Sequence, residues 1–344
     1  MKRRKGRRGR VTLADVAERA GVSVPTVSLV LSGRTDTRIP TSTADRVRQA
    51  ASVLNYRALP RAIAPLPTRL PVVGFVTDTA ASDHFVGEMI GGAIARAAAH
   101  GHALFTADTE RDPMLERRLV DSLVELGVER FVYAAMATRT TRLSASFEGR
   151  TVVLLNCLDR AAGVPAIVPD EAAAGALAST TLLDAGHTRR IWLVGEVRGQ
   201  PYAGRERREA IVSTLRARGL RLARHLSCEW WPPAAREAMS EALTASRGLR
   251  RPSAVIAMND RVALGIYQAA GAAGLRIPED LSVISFDNSD LAWWLHPALT
   301  SIGLPYYEMG AKAIDVLLGG RRTGGPELLT MPLHERDSVA PPGS

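Results

Sequence analysis

The sequence predicts an α/β protein: a small all-α helix-turn-helix module first, then a larger domain of two lobes built on parallel sheets. Three observations carry that expectation. Positive charge is crowded at the amino end, where residues 1–69 hold 15 of the 44 Lys+Arg and only 4 of the 35 Asp+Glu. Residues 12–54 show helical apolar spacing broken by a glycine turn. From Val72 onward, short aliphatic runs alternate with amphipathic stretches, the pattern of parallel strands covered on both faces by helices.

The 344 residues, 46% of them hydrophobic and 23% charged, suffice for more than one core. No apolar run reaches the length of about 18 residues that a membrane span needs. The basic start leads into a polar helical pattern and not into the apolar segment and cleavage site of a secretory signal, so a cytoplasmic location is expected. Two cysteines far apart, Cys157 and Cys228, suit a reducing compartment. Arg outnumbers Lys 41 to 3. Codon bias accounts for that ratio, but not for the charge asymmetry between the ends. A basic module on a near-neutral body is the footprint of a polyanion-binding protein.

A basic arm, residues 1–10, opens the chain, and the module follows over residues 11–57. In "VTLADVAERA" Thr12 is the expected N-cap, with Asp15 in the capping-box position and Leu13, Val16, Ala17 and Ala20 as one stripe. Gly21 supplies the turn. Ser23 caps the next helix, with Pro25 tolerated in its first turn. Val24, Val27, Val30 and Leu31 recur at inward spacing, leaving Thr26, Ser28, Leu29 and Ser32 outward. A third helix is expected from about Thr41 to Leu54, with Val47, Ala50, Ala51 and Leu54 inside. Helix, glycine turn, helix and supporting helix make a helix-turn-helix unit, whose second helix enters the major groove. That helix is uncharged because short hydroxyl side chains allow close approach to base edges. The arm, Arg34, Arg38, Arg46 and Arg48 are left to meet phosphates. A plain helical hairpin would use the same caps, but it would not explain the charge.

"VTLADVAERAGVSVPTVSLVLSG" with "TADRVRQAASVLNY" resembles the headpiece of the lactose-repressor (LacI) family of bacterial transcription regulators, whose pattern is close to "VTxxDVAxxAGVSxxTVSRVLNG". The resemblance implies operator contacts from Thr12, Leu13, Ser23, Val24, Pro25, Thr26, Ser28, Leu29, Ser32 and Arg34. Leu29 stands where the family has Arg, and Ser32 where it has Asn. An Arg reads guanine bidentately, whereas Leu offers only apolar contact, so the preferred operator should differ there.

Residues 58–71 form the linker, where Pro60, Pro65, Pro67 and Pro71 forbid a long helix. A semi-rigid spacer is one reading. The family resemblance implies a short hinge helix with an apolar wedge for the minor groove. Sliding the alignment by two residues makes Ile63 the wedge, while the ungapped alignment puts Pro65 there. Ile63 is preferred because the kink needs an apolar wedge.

Over residues 72–340 the expected strands are "VVGFVT", "ALFTA", "RFVYA", "TVVLLN", "RIWLVG", "SAVIAM" and "LSVISF". Ligands of such folds bind beyond the carboxyl ends of strands, which directs attention to residues 82–85, Asn156, Asp170, Asn259, Asp260, Asp287 and Asn288. Turn chemistry also favours Asp and Asn at these places. "IAMNDRVALGIYQAAGAAGLRIPEDLSVISFDN" extends the family resemblance, and the body is similar to type I periplasmic sugar-binding proteins. Carried over by residue, the resemblance implies effector contacts from Phe85, Asn156, Arg207, Trp230, Asn259, Asp287 and Tyr306, with Trp231 able to exchange roles with Trp230.

No phosphate-binding loop, "GxSxG", "HExxH" or paired "CxxC" occurs, so neither catalysis nor a metal or cofactor is expected. The expected partners are double-stranded operator DNA, a sugar-like or nucleoside-like effector and a second copy in a homodimer. The tail carries no heptads for a larger coiled-coil assembly. The competing reading is a solute-binding receptor without DNA function. It predicts an export signal in place of the basic arm.

Overall fold

The computed structural model describes residues 12–31, 39–54, 70–78, 86–196, 202–246, 251–320 and 325–343. The chain divides into two compact units, Met1–Arg69 and Leu70–Ser344.

The first unit holds α1 (Leu13–Ala20), α2 (Val24–Leu31) and α3 (Thr41–Val53). The capping box forms: the Asp15 N–H donates to Thr12 Oγ1 at 3.3 Å, and the Thr12 N–H donates to the Asp15 carboxylate at 2.7 Å. Hydrogen bonds from Thr12, its hydroxyl first, hold the Asp15 carboxyl below its usual pKa. Gly21 ends α1 at φ 65°, where any Cβ would be strained. Val16, Val27 and Val47, one from each helix, are fully buried and meet in a small core closed by alanines of α1 and α3. Val24 is the exception to the inward row that its spacing predicts, because it is 42% exposed. It is the first residue of α2, nearly a turn before Val27, and so lies at the edge of that core.

The second unit contains two sheets of six strands. The first lobe is laid down as β1 (Val72–Thr77), α4 (Val86–Ala99), β2 (Ala103–Asp108), α5 (Pro113–Glu125), β3 (Arg130–Thr140), β4 (Thr151–Leu158) and β5 (Ala166–Pro169). The second follows as α6 (Glu171–Asp184), β6 (Ile191–Glu196), α7 (Tyr202–Ala217), β7 (Arg224–Ser227), α8 (Pro232–Ala245), β8 (Ala254–Ala257), α9 (Asp260–Ala272), β9 (Ser282–Asp287), α10 (Asp290–Trp294) and β10 (Thr300–Gly303). The chain then returns to the first lobe with α11 (Tyr306–Gly319) and β11 (Pro326–Leu329), and ends in the second with β12 (Leu333–His334). Strand orders are β11-β5-β4-β3-β1-β2 and β12-β10-β9-β8-β6-β7. Among the described residues, only the β10–β12 pair runs antiparallel. Three crossings therefore join the lobes, after β5, β10 and β11.

Aliphatic side chains cover both faces of each sheet, as near-continuous apolar strands require. In the first lobe α4 and α11 cover one face and α5 the other. In the second, α8 and α9 lie opposite α6 and α7. Glycines set the helix separations. A Cβ on Gly175 of α6 would stand 2.4 Å from the Arg207 carbonyl oxygen of α7. A Cβ on Gly265 of α9 would meet the Pro232 carbonyl at the same distance. Gly175→Ala should destabilise the second unit by about 1–3 kcal/mol through overpacking. Gly91→Ala, in open space on α4, should cost nothing or add roughly 0.4–1 kcal/mol. Chemical denaturation of the two variants measures the difference, and equal midpoints would contradict the close helix contact.

Candidate functional site

In the first unit, α2 carries no charged residue. Val24, Pro25 and Ser28 are exposed, Thr26 and Leu29 are half-buried, and only Val27 is fully inside. The Ser23 and Thr26 hydroxyls lie 2.8 Å apart, and the Thr26 N–H reaches Ser23 Oγ at 3.4 Å, so both residues help to close the helix start. Thr12 is exposed and Leu13 half-buried at the start of α1. An uncharged, partly exposed helix face beside a capped first helix can lie against base edges without repelling or trapping phosphates. Ser32, Arg34 and Ile63 fall outside the described residues.

The second candidate is a cleft between the lobes, a cavity of about 200 Å³ lined by Thr138 of β3, Glu171 of α6, Arg207 of α7 and Asp287 of β9, among others. A wider hollow of about 440 Å³ opens beside it and shares Asp287 and Leu304. Its other lining side chains include Glu88, Asp290 and Glu308, all exposed. The smaller cavity is the better candidate because buried polar groups converge on it, as they do at ligand sites.

Arg207 is 2% exposed. Its Nε donates to Glu171 Oε2 at 2.6 Å and its Nη1 to the Met258 carbonyl at 2.8 Å. Its guanidinium lies 4.4 Å from the Phe286 ring centre and 5.8 Å from that of Trp230. Burial alone would lower its pKa, but the Glu171 charge reverses this and holds it above the usual value. Glu171, equally buried, is met from the first lobe by the Thr138 hydroxyl at 3.1 Å. That hydroxyl also lies 2.7 Å from Asn156 Oδ1, so one proton serves two acceptors.

Asn156 is 1% exposed, and its amide donates to the Ala135 carbonyl at 3.0 Å. It stands behind Thr138 and is not among the residues lining the cavity. Asn259 lines the cavity while its Oδ1 caps α9 by accepting from the Val262 N–H at 2.8 Å, leaving its Nδ2 for a ligand. Trp230 is fixed by its indole N–H, which donates to the Gly195 carbonyl at 2.6 Å. Tyr306, the buried first residue of α11, forms another wall. Phe85 falls outside the described residues.

Asp287 ends β9 at φ 106°, a strained backbone for a residue with a Cβ. Burial pushes its carboxyl well above the usual 3.8, opposed by the Arg207 charge. Beneath it Asp260 is fully buried, and its carboxylate accepts from Ser285, from Ser301 at 2.8 Å, and from the Ser289 N–H and hydroxyl at 2.7 and 2.8 Å. This knot ties α9, β9, β10 and the start of α10 together.

Sequence reasoning missed Glu171, Thr138 and Arg261. Glu171 follows Asp170, itself the N-cap of α6 through the Ala173 N–H at 2.9 Å, so it read as an ordinary first-turn acid. Thr138 lies beyond the recognised apolar run of β3. Arg261 follows Asn259 and Asp260, and its guanidinium lies 4.7 Å from the ring centre of Trp231 at the cavity wall.

A helix-turn-helix unit joined to a two-lobed body with a polar cleft defines a class: DNA-binding regulators that sense a small molecule. Comparison with known proteins narrows it. Residues 12–58 match the model of bacterial regulatory proteins, lacI family, and residues 180–339 match that of the periplasmic binding protein-like domain. The regulator reg1 of Streptomyces lividans is 31% identical, over 95% of this chain and 96% of its own. The ribose operon repressor of Escherichia coli K12 is 29% identical, over 89% of this chain and 92% of its own. The lac repressor dimer bound to operator and an anti-inducer shares the fold with a TM-score of 0.68, at 22% identity, over 96% of this chain and 100% of the other. The chain belongs to the LacI family of bacterial regulatory proteins. Among the described residues no helix is long and apolar enough to cross a membrane.

The raised Asp287 value makes stability depend on pH. A carboxyl whose folded pKa exceeds its unfolded value binds more protons when folded, so its contribution is present at low pH and is lost as pH rises through the folded value. Asp260, also raised by burial, acts in the same sense, while the lowered values of His187 and His334 act in the opposite sense. Melting temperatures of wild type and Asp287→Asn, compared from roughly pH 5 to pH 8, isolate the Asp287 contribution. The variant should lose less stability as pH rises, and parallel profiles would contradict the burial of this carboxyl.

Proposed function

We propose that this chain is a sequence-specific transcriptional regulator, a repressor acting as a homodimer on a pseudo-palindromic operator. A small effector in the interlobe cleft changes its operator affinity. One observation carries the reading: a single chain joins a strongly basic unit holding an uncharged, partly exposed helix to a two-lobed body whose cleft gathers buried hydrogen-bonding groups. The alternative of a receptor without DNA function leaves the first unit unexplained. The protein acts in the cytoplasm and catalyses no reaction.

In this reading residues 1–10 are the arm, 11–57 the DNA-binding domain, 58–71 the hinge and 72–340 the effector and dimerisation domain. Thr12, Leu13, Ser23, Val24, Pro25, Thr26, Ser28, Leu29 and Ser32 face bases and the adjoining backbone, Arg34 meets phosphate, and Ile63 is the minor-groove wedge. Phe85, Arg207, Trp230, Asn259, Asp287 and Tyr306 contact the effector, with Asn156 acting through Thr138. The ribose repressor and a cellobiose complex of a regulator named CelR are relatives or structural neighbours named for sugars. A ring stacked near Trp230 and held by hydrogen bonds at its edges suits the same chemistry.

Two variants separate affinity from specificity. Log affinity falls with log salt by about 0.9 for each phosphate contact. Deleting residues 1–10, which hold seven Lys+Arg, should flatten that slope and leave the order of preferred operators unchanged. Leu29→Ala should reorder operator preference and leave the slope unchanged. Electrophoretic or fluorescence titration of a randomised operator library at several salt concentrations reads both. An unchanged slope after deletion removes the arm from the interface. Addition of neutral sugars and nucleosides to the same titration tests the effector, and no effect from any of them counts against it.

A further inference from the structure

The guanidinium at the depth of the cleft is already paired with a carboxylate. Arg207 Nε and Nη1 are spent on Glu171 and the Met258 carbonyl, at 2.6 and 2.8 Å. Both charged side chains are 2% exposed. A ligand carboxylate or phosphate reaching Arg207 has to share it with a fixed like charge at the same depth. Glu171 itself cannot turn aside at low cost, because Thr138 from the opposite lobe holds its second oxygen at 3.1 Å. It is also fixed by its backbone: it opens α6 behind the Asp170 cap, and Gly175, one turn on, lets α7 close on α6. Breaking a buried pair leaves an uncompensated charge, which is strongly unfavourable.

Arg261, the other cation at the cavity wall, lies over the Trp231 ring and within electrostatic reach of the Asp287 carboxyl, so its attraction for an anion is shared with Asp287. The adjoining hollow is lined by Glu88, Asp290 and Glu308, so the approach to Asp287 from that side is acidic. What the cavity offers instead is a set of hydrogen-bonding positions around an ion pair whose charges already balance: Nη2 of Arg207, which has no hydrogen-bond partner among the described residues, Nδ2 of Asn259 and the Asp287 carboxyl. The volume of about 200 Å³ lies below the ~300–1,000 Å³ of most ligand pockets, which suits one small ring.

We propose that Glu171 is a specificity-determining residue: as the resident counter-ion of Arg207 it makes the cleft select uncharged polyhydroxylated rings and reject the corresponding phosphate esters and sugar acids. This rests on the reading of the cleft as the effector site. The effect is the difference of two affinities, produced by a built-in repulsion and not by a lost contact.

The test uses the full chain and a matched panel: ribose, xylose, glucose and galactose against their phosphate esters and aldonic acids. Binding is followed by calorimetry and by tryptophan fluorescence, to which Trp230 and Trp231 at the cavity wall contribute. Wild type should bind members of the neutral half only. Glu171→Gln keeps the side-chain volume and the acceptor for Thr138. It should shift preference toward the anionic partner of the bound sugar by at least about tenfold. Its melting profile shows whether it folds. The wild-type comparison needs no variant, so a misfolded Glu171→Gln still leaves the inference exposed. Wild type binding an ester as well as its parent sugar overturns the role of Glu171 while sparing the effector reading. So does a folded Glu171→Gln whose preference is unchanged. No binding by either half overturns this inference, and overturns that reading as well when the operator titration answers to no sugar or nucleoside.

Discussion

The cleft depends on the buried pair of Arg207 and Glu171. Removing two ions from water is unfavourable by several kcal/mol each, and attraction across 2.6 Å offsets this only when the remaining donors and acceptors are also met. Here most of them are met, from both lobes, and Nη2 of Arg207 is left facing the cavity. Thr138 reaches Glu171 from β3 of the first lobe, while Met258, at the end of β8, takes a second N–H of Arg207 from the other. Glu171 itself lies at the first crossing between lobes. The pair is therefore more than a brace between α6 and α7: it fastens the two sheets at the point where the chain passes between them.

The same economy of position governs the floor of the cleft. Asp287 ends β9 in a strained backbone conformation, and such strain persists only where the surroundings over-determine it. Asp260 supplies that restraint through serines on β9, β10 and the start of α10. Ser301 also accepts from the Asn288 N–H at 3.0 Å, fixing the residue after Asp287. Asp260 follows Asn259 directly, so one helix start both presents an amide to the cavity and anchors the strand end opposite. Displacing either element disturbs the other.

The parts legible in the sequence were those whose cause is local. The capping box of Thr12 and Asp15, the Gly21 turn and the triad of Val16, Val27 and Val47 follow from spacing alone. Long apolar strands were equally plain. Most short ones were not: β5, β7, β10, β11 and β12 hold four residues or fewer, too little for any periodicity, and three of them lie at sheet edges. Asn156, Asn259 and Asp287 were singled out because strand ends are where such folds bind ligands, and of these Asn259 and Asp287 line the cavity while Asn156 stands behind it. Glu171 and Thr138 were missed for the opposite reason. Their meaning comes from a contact across 33 residues and two lobes, while each alone reads as a helix-start acid or a strand threonine. Val24 was misjudged because spacing marks a face of a helix but not how far along its axis the core extends.

Placing the network at the crossings bears on how a ligand can act on DNA. A ligand shifts a conformational equilibrium only by its difference in affinity for the two states. A molecule held solely by one lobe has no such difference when the lobes move. One held by Asn259 and Asp287 of the second lobe and by Thr138 and Tyr306 of the first would have such a difference, because lobe motion would make or break those contacts together. Coupling of this kind amounts to about 1–3 kcal/mol and is reciprocal, so operator DNA must change effector affinity by the same factor that the effector changes operator affinity. A cleft of this construction senses a ligand and a lobe arrangement as one quantity, and any substitution that loosens Glu171 should weaken both readings at once.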